Sequence, residues 1–85
     1  MGEERIGEVA KYFAKVSVAG IQVEEGFLAV GDTIHIRGHT TDLTQVVDSI
    51  QLENQTIARA EPGQLVGIRV KDRVRESDVV FKVTP

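Results

Sequence analysis

Residues 26–38 constrain what this chain can fold into more than any other stretch. Gly31-Asp32 is a turn pair, because glycine tolerates positive φ and aspartate bonds to nearby backbone amides. Ile34 and Ile36 then alternate with His35 and Arg37, the period of a strand with one buried face. Gly38 closes the unit. A strand needs neighbours, and the composition supplies them: 13 valines and 7 isoleucines stand against 4 leucines. β-Branched side chains lose rotamer freedom in helices and pack well on pleated sheets. The chain therefore reads as all-β. At 85 residues it is one domain, 1–85. A chain of this length buries roughly 60–65% of its unfolded surface, so the core must be compact and well patterned.

The order of strands follows from alternation and turn residues. Residues 1–5 are expected to be a flexible leader. The first strand falls at 6–13 and the second at 16–23, through Val16, Val18, Ile21 and Val23. The alternation slips at Ala19-Gly20, which suggests a bulge or bend. Glu24-Glu25-Gly26 is a turn. Residues 40–52 are ambiguous. Leu43, Val46, Val47 and Ile50 form a helical stripe that Thr40, Thr41 or Asp42 could cap, yet Val46, Ile50 and Leu52 also share a strand face. Periodicity leaves both open. Glu53-Asn54-Gln55 is a turn, 56–59 a short strand, and Glu61-Pro62-Gly63 a turn with proline presetting φ. In 64–70, Val66, Ile68 and Val70 face one way and Leu65, Gly67 and Arg69 the other. Residues 72–77 are a polar connection and 78–83 the last strand. So many short strands predict a sandwich or a barrel, and closure into a six- or seven-stranded antiparallel barrel removes exposed edges.

Several classes of function lack their residues. There is no cysteine, so disulfides, thiolate metal sites and cysteine nucleophiles are excluded. This suits a cytoplasmic location. No apolar run approaches the ~18–20 residues of a membrane span, so no membrane partner is expected. A P-loop is missing, so no nucleotide is held in that manner, and no cofactor is implied. His35 and His39 are four apart, but the strand reading breaks a metal-binding geometry and leaves them as surface histidines. Carboxylates are plentiful and scattered, and no nucleophile motif is present. No catalytic residue is assigned, and the chain reads as a non-enzyme.

Four motifs together resemble a known family. Gly26-x-Leu28-x-x-Gly31-Asp32-x-Ile34-x-Ile36-x-Gly38 looks like the turn-and-strand signature of the second domain of translation GTPases, the barrel following the nucleotide-binding domain in elongation factor Tu and its relatives. Val47-x-Ser49-Ile50-Gln51, Ala60-x-x-Gly63-x-x-Val66-Gly67-Ile68 and Val74-Arg75-x-x-Asp78-Val79-Val80 are similar to its later strands. Ser77 stands where that family usually has glycine. The front, Ile6-Gly7-Glu8-Val9-x-x-Tyr12-Phe13-x-Lys15-Val16-x-Val18-Ala19, looks more like the C-terminal barrel of collagenase-like peptidases, a group that includes tRNA-modification proteins. The resemblance implies a translation-protein domain-two barrel, makes 40–52 strand, and implies a binding role.

One polar feature invites such a role. Arg69, Lys71, Arg73 and Arg75 sit at alternate positions, and if extended they leave one face together. Residues 69–75 carry +3 in a chain of net charge −3, so the remainder carries −6. Such a stripe positions a phosphate backbone, or is simply a solvated strand face. Lys11, Lys15 and Arg37 are candidates to extend it. Tyr12 is the one candidate base-stacking residue and reads equally as barrel-end packing; Leu65 points outward. The expected ligand is tRNA or rRNA, or a translation or tRNA-modification protein. The alternative is an adaptor barrel serving a separately encoded enzyme. The residues do not specify an oligomeric state.

Overall fold

The computed structural model describes residues 2–84. Ten strands occur among them: β1 Gly2–Phe13, β2 Val18–Val23, β3 Leu28–Ala29, β4 Thr33–Arg37, β5 Asp42–Val46, β6 Ile50–Leu52, β7 Gln55–Ile57, β8 Arg59–Ala60, β9 Leu65–Arg69 and β10 Val79–Thr84. Eight form one antiparallel sheet in the order β5-β4-β10-β1-β2-β9-β6-β7, and β3 pairs with β8. The described residues contain no helix, and so none long and apolar enough to cross a membrane. Buried Ile, Val, Leu and Ala side chains from every strand except β7 form one core, against which Tyr12, Leu52 and Ile57 pack. The β-branched bias thus lies where pleated surfaces meet.

Four details differ from the sequence reading. First, residues 2–5 are strand rather than leader, pairing with Thr84, Val83, Lys82 and Phe81 of β10; Met1 lies outside the described residues. Second, the strand count exceeds six or seven because two expected strands are broken and Leu28–Ala29 forms a further short strand, β3. Val47 leaves the 40–52 segment to bond Asp32 C=O and Gly31 N–H (2.8 and 2.9 Å), and Ala58 breaks the 56–59 segment by accepting from Val30 N–H. Third, β2 has no phase slip. Residues 14–17 are turn, and Ala19, Ile21 and Val23 alternate cleanly inward. The bulges are in β1, where register shifts between Arg5 and Gly7 against β10 and between Val9 and Lys11 against β2. The extra residues set Ile6, Val9 and Tyr12 inward at intervals of three, which a regular strand does not allow.

Fourth, the inward face of β5 is Leu43, Gln45 and on to Val47, while Val46 is 47% exposed. The misleading residue was Gln45, a polar side chain in a core position. Its Nε2 donates to Arg69 C=O and its Oε1 accepts from Lys71 N–H, both at 2.8 Å. Both polar atoms of this amide have a partner, so burial is tolerated.

Turn chemistry repeats. In residues 29–32, 61–64 and 75–78 the fourth N–H donates to the first C=O (3.0, 3.2 and 3.1 Å). The third residue has positive φ: Gly31 at 96°, Gly63 at 93° and Ser77 at 74°. In each, the fourth side chain (Asp32, Gln64, Asp78) accepts from the first N–H at 2.8 Å. Glu53 and Asn54, both at positive φ, make the two-residue turn between β6 and β7. The β3–β8 ribbon is fixed at Phe27, whose ring centroid lies 3.9 Å from Arg59 Cζ and 3.5 Å from Lys82 Nζ. Two cations that close cannot share a face, so they flank the ring.

Ser77→Gly should stabilise the protein by roughly 0.5–1 kcal/mol, because Ser77 alone of the three turn positions carries a Cβ at positive φ. Urea unfolding reads this as a higher midpoint at unchanged slope. Gln45→Leu should cost about 2–3 kcal/mol in the same experiment, since Arg69 C=O and Lys71 N–H lose their partner.

Candidate functional site

The segment carrying Arg69, Lys71, Arg73 and Arg75 starts at the end of β9 and continues into the connection to β10. It is not one extended face: pairing stops at Arg69, and Lys71-Asp72 is a bend. What holds it is burial of Val70 and Val74, together with the Gln45 amide. Those anchors leave all four basic side chains exposed. Among the described residues none of the four has an ion-pair partner. Asp72 and Glu76 are exposed in the same segment and dilute its charge.

Two contacts bring further cations to it. Val70 N–H donates to Ser17 C=O at 2.8 Å, which sets the 14–17 turn, with Lys15, beside the segment. At the other end Arg75 N–H donates to Asp78 Oδ2 at 2.8 Å, and the other oxygen of that buried carboxylate lies against Gly38, next to Arg37. A Cβ at position 38 would stand 1.8 Å from Asp78 Oδ1, so this approach requires glycine. The turn that carries Lys15 thus adjoins the start of the 69–75 segment, and Gly38, which follows Arg37, adjoins the turn at its end. Arg37 is partly engaged: its guanidinium lies 3.8 Å from Glu3 and 5.7 Å from the Phe81 centroid. A shallow hollow of about 270 Å³ lies there, lined by Arg37, Gly38, Val79 and Phe81.

Lys11 belongs to a different place. It pairs with Gly20, which pairs with Gly67, which pairs with Gln51. Two neighbouring glycines on the outer face leave a groove of about 320 Å³, walled by Phe13 and Leu65. Phe13 is 46% and Leu65 52% exposed, with Lys11 Nζ 5.6 Å from the Phe13 centroid. Sequence reasoning missed this groove. Its signal was two outward glycines in strands; the register that sets them side by side was not visible. Tyr12 packs against the core and is not a free stacking platform.

His35 is outward-facing but not a plain surface histidine. Its Nδ1 lies 2.6 Å from Glu3 Oε2 and its Nε2 2.5 Å from Asp42 Oδ1. The Asp42 contact, aided by Glu3, raises its pKa above the ordinary 6.5, against the opposing effect of burial. Among the described residues no group of three or more His, Asp or Glu side chains is arranged to hold a metal ion.

These features define a small all-β module with an exposed basic segment and a separate apolar groove. The chain is 41% identical over 78 residues to a collagenase of Porphyromonas gingivalis, covering 91% of this chain and 22% of that protein. An uncharacterized protease of Methanocaldococcus jannaschii is 40% identical over 77 residues, covering 89% and 19%. The chain thus spans about a fifth of the length of the curated relatives it matches. No family model matches it. A crystal structure of the C-terminal domain of a Geobacillus thermoleovorans protein described as a U32 peptidase superposes with a TM-score of 0.88 at 25% identity, covering 95% of this chain and 93% of that one. The chain is homologous to the C-terminal domain of U32 peptidase and collagenase-family proteins. Of the two resemblances read from the sequence, this bears out the one to the C-terminal domain of collagenase-like peptidases.

The His35 contacts make stability depend on pH. A histidine whose folded pKa is raised contributes fully below about 6.5 and loses that contribution as pH rises through the folded value. Urea midpoints should therefore fall across that window, and His35→Gln should flatten the fall.

Proposed function

We propose that this chain is an accessory binding module without catalytic activity, a closed barrel of the translation-protein domain-two type acting in the cytoplasm. Its ligand in this reading is structured RNA, tRNA or rRNA, met by the basic segment. The observation that carries the reading is the exposure of Arg69, Lys71, Arg73 and Arg75 on a segment whose backbone is held by Val70, Val74 and Gln45. Cations on a fixed backbone position phosphates at less entropic cost than cations on a mobile loop. Lys15 and Arg37 extend the segment, and Lys11 serves the groove instead. The gap left by backbone pairing between β5 and the exit of β9 is bridged by the Gln45 amide, which supports closure.

A titration with bulk tRNA tests this. Affinity should fall with salt, and replacing Arg69, Lys71, Arg73 and Arg75 by Ser should weaken binding at least about tenfold, flattening the log–log salt slope by ~1 for each lost phosphate contact. Salt-insensitive affinity, or no effect of the replacement, would sink the RNA reading.

A second reading, an adaptor serving a separately encoded enzyme, is favoured by the groove. Phe13 and Leu65 are large apolar side chains left exposed on either side of Gly20 and Gly67. It also fits homology to a domain that is a small part of larger proteins. Phe13→Ser with Leu65→Ser should abolish co-purification with such an enzyme while leaving tRNA affinity unchanged.

A further inference from the structure

We propose that doubly protonated His35 is a latch that fastens residues 2–5 of β1 to β4 and β5, and that loss of its proton frees this half-strand from β10. A neutral imidazole has one N–H and can donate to one carboxylate only. Here both ring nitrogens meet carboxylates, from β1 (Glu3) and β5 (Asp42). Only the imidazolium satisfies both. When it loses a proton, one carboxylate faces a nitrogen lone pair and that contact turns repulsive.

The half-strand is poorly held otherwise. β1 pairs with β2 only from Gly7 onward, so residues 2–5 have β10 as their single strand neighbour. The register shift after Arg5 separates them from the rest of β1. Arg5 is tied to Glu24 and Glu25 through exposed ion pairs, which contribute little. Glu3 reaches across β10, where His35 pairs with Phe81, and so clamps the half-strand from the outer face. Segments with one-sided pairing and few buried contacts are where local opening occurs.

The charged groups around His35 fix the direction. Glu3 comes from β1 and Asp42 from β5; Arg37 on β4 lies 3.8 Å from the second Glu3 oxygen. Lys82 on β10 is engaged with Asp32 at 3.4 Å and with the Phe27 ring. Deprotonation therefore leaves Glu3 with Arg37 as its one nearby cation, on an exposed side chain, and Asp42 with none among the described ion pairs.

Amide hydrogen exchange by NMR on the whole chain, expressed as protection factors, tests the latch while the His35 ring protons report its titration. Protection of the β10-bonded amides in residues 3–5 should drop about tenfold as pH rises through the His35 titration, with β4 and β9 unchanged. His35→Asn should show the low protection at every pH. Glu3→Gln should lower the His35 pKa and remove most of the pH dependence. Flat protection across the titration, wild-type protection in His35→Asn, or a His35 titration unmoved by Glu3→Gln overturns the proposal.

Discussion

One side-chain amide joins β5 to the exit of β9, two stretches that do not pair with each other through their backbones. Gln45 lies on β5, at one end of the main sheet, and bonds the chain just beyond β9, near the other end. Its nitrogen donates to a C=O and its oxygen accepts from an N–H two residues further on. In effect it is a missing rung of the ladder. It fixes the chain just after β9, where burial of Val70 and Val74 holds the rest of the basic segment. Removing it would leave two backbone groups without partners in a place where water must intrude to satisfy them.

The strongest local patterns were readable in the sequence. Gly31-Asp32 and Pro62-Gly63 specify turns because positive φ at the third position narrows the choice of residue, and both turns form. Ile34/Ile36 and Val66/Ile68/Val70 alternate without a polar interruption and are buried as expected. Where the reading failed, a non-local contact had overruled a local pattern. Gln45 hid the true face of β5 because its partners lie 24 and 26 residues away. The bulges of β1 were invisible because register is a property of two strands. Ser77 conceals a turn that its glycine-bearing siblings announce, and only the buried Asp78 side chain reveals that it is the same turn.

The candidate site shows the same division. That Arg69, Lys71, Arg73 and Arg75 are basic and alternate was plain, and so was their surface position. Why they form a surface was not, since it comes from valines on either side and an amide from another strand. The 14–17 turn and Gly38 adjoin the segment through Ser17 and Asp78, contacts that no spacing encodes. Lys11 parts from the segment because Gly20 and Gly67 sit side by side. His35 looked like an ordinary surface histidine beside Arg37. Its partners at positions 3 and 42 belong to strands whose adjacency the sequence does not state.

The contact between Gly38 and Asp78 limits the order in which this chain can change. A side chain at 38 has no room while the carboxylate is present, and a smaller residue at 78 strips Arg75 N–H of its acceptor and the turn of its cap. Each substitution alone passes through a damaged intermediate. Descendants of this sequence should therefore keep both residues or replace both, and few will cross between the two solutions. The turn that ends the basic segment at Arg75 is tied to that pair, so the course of the segment inherits its resistance to drift whatever becomes of its cations.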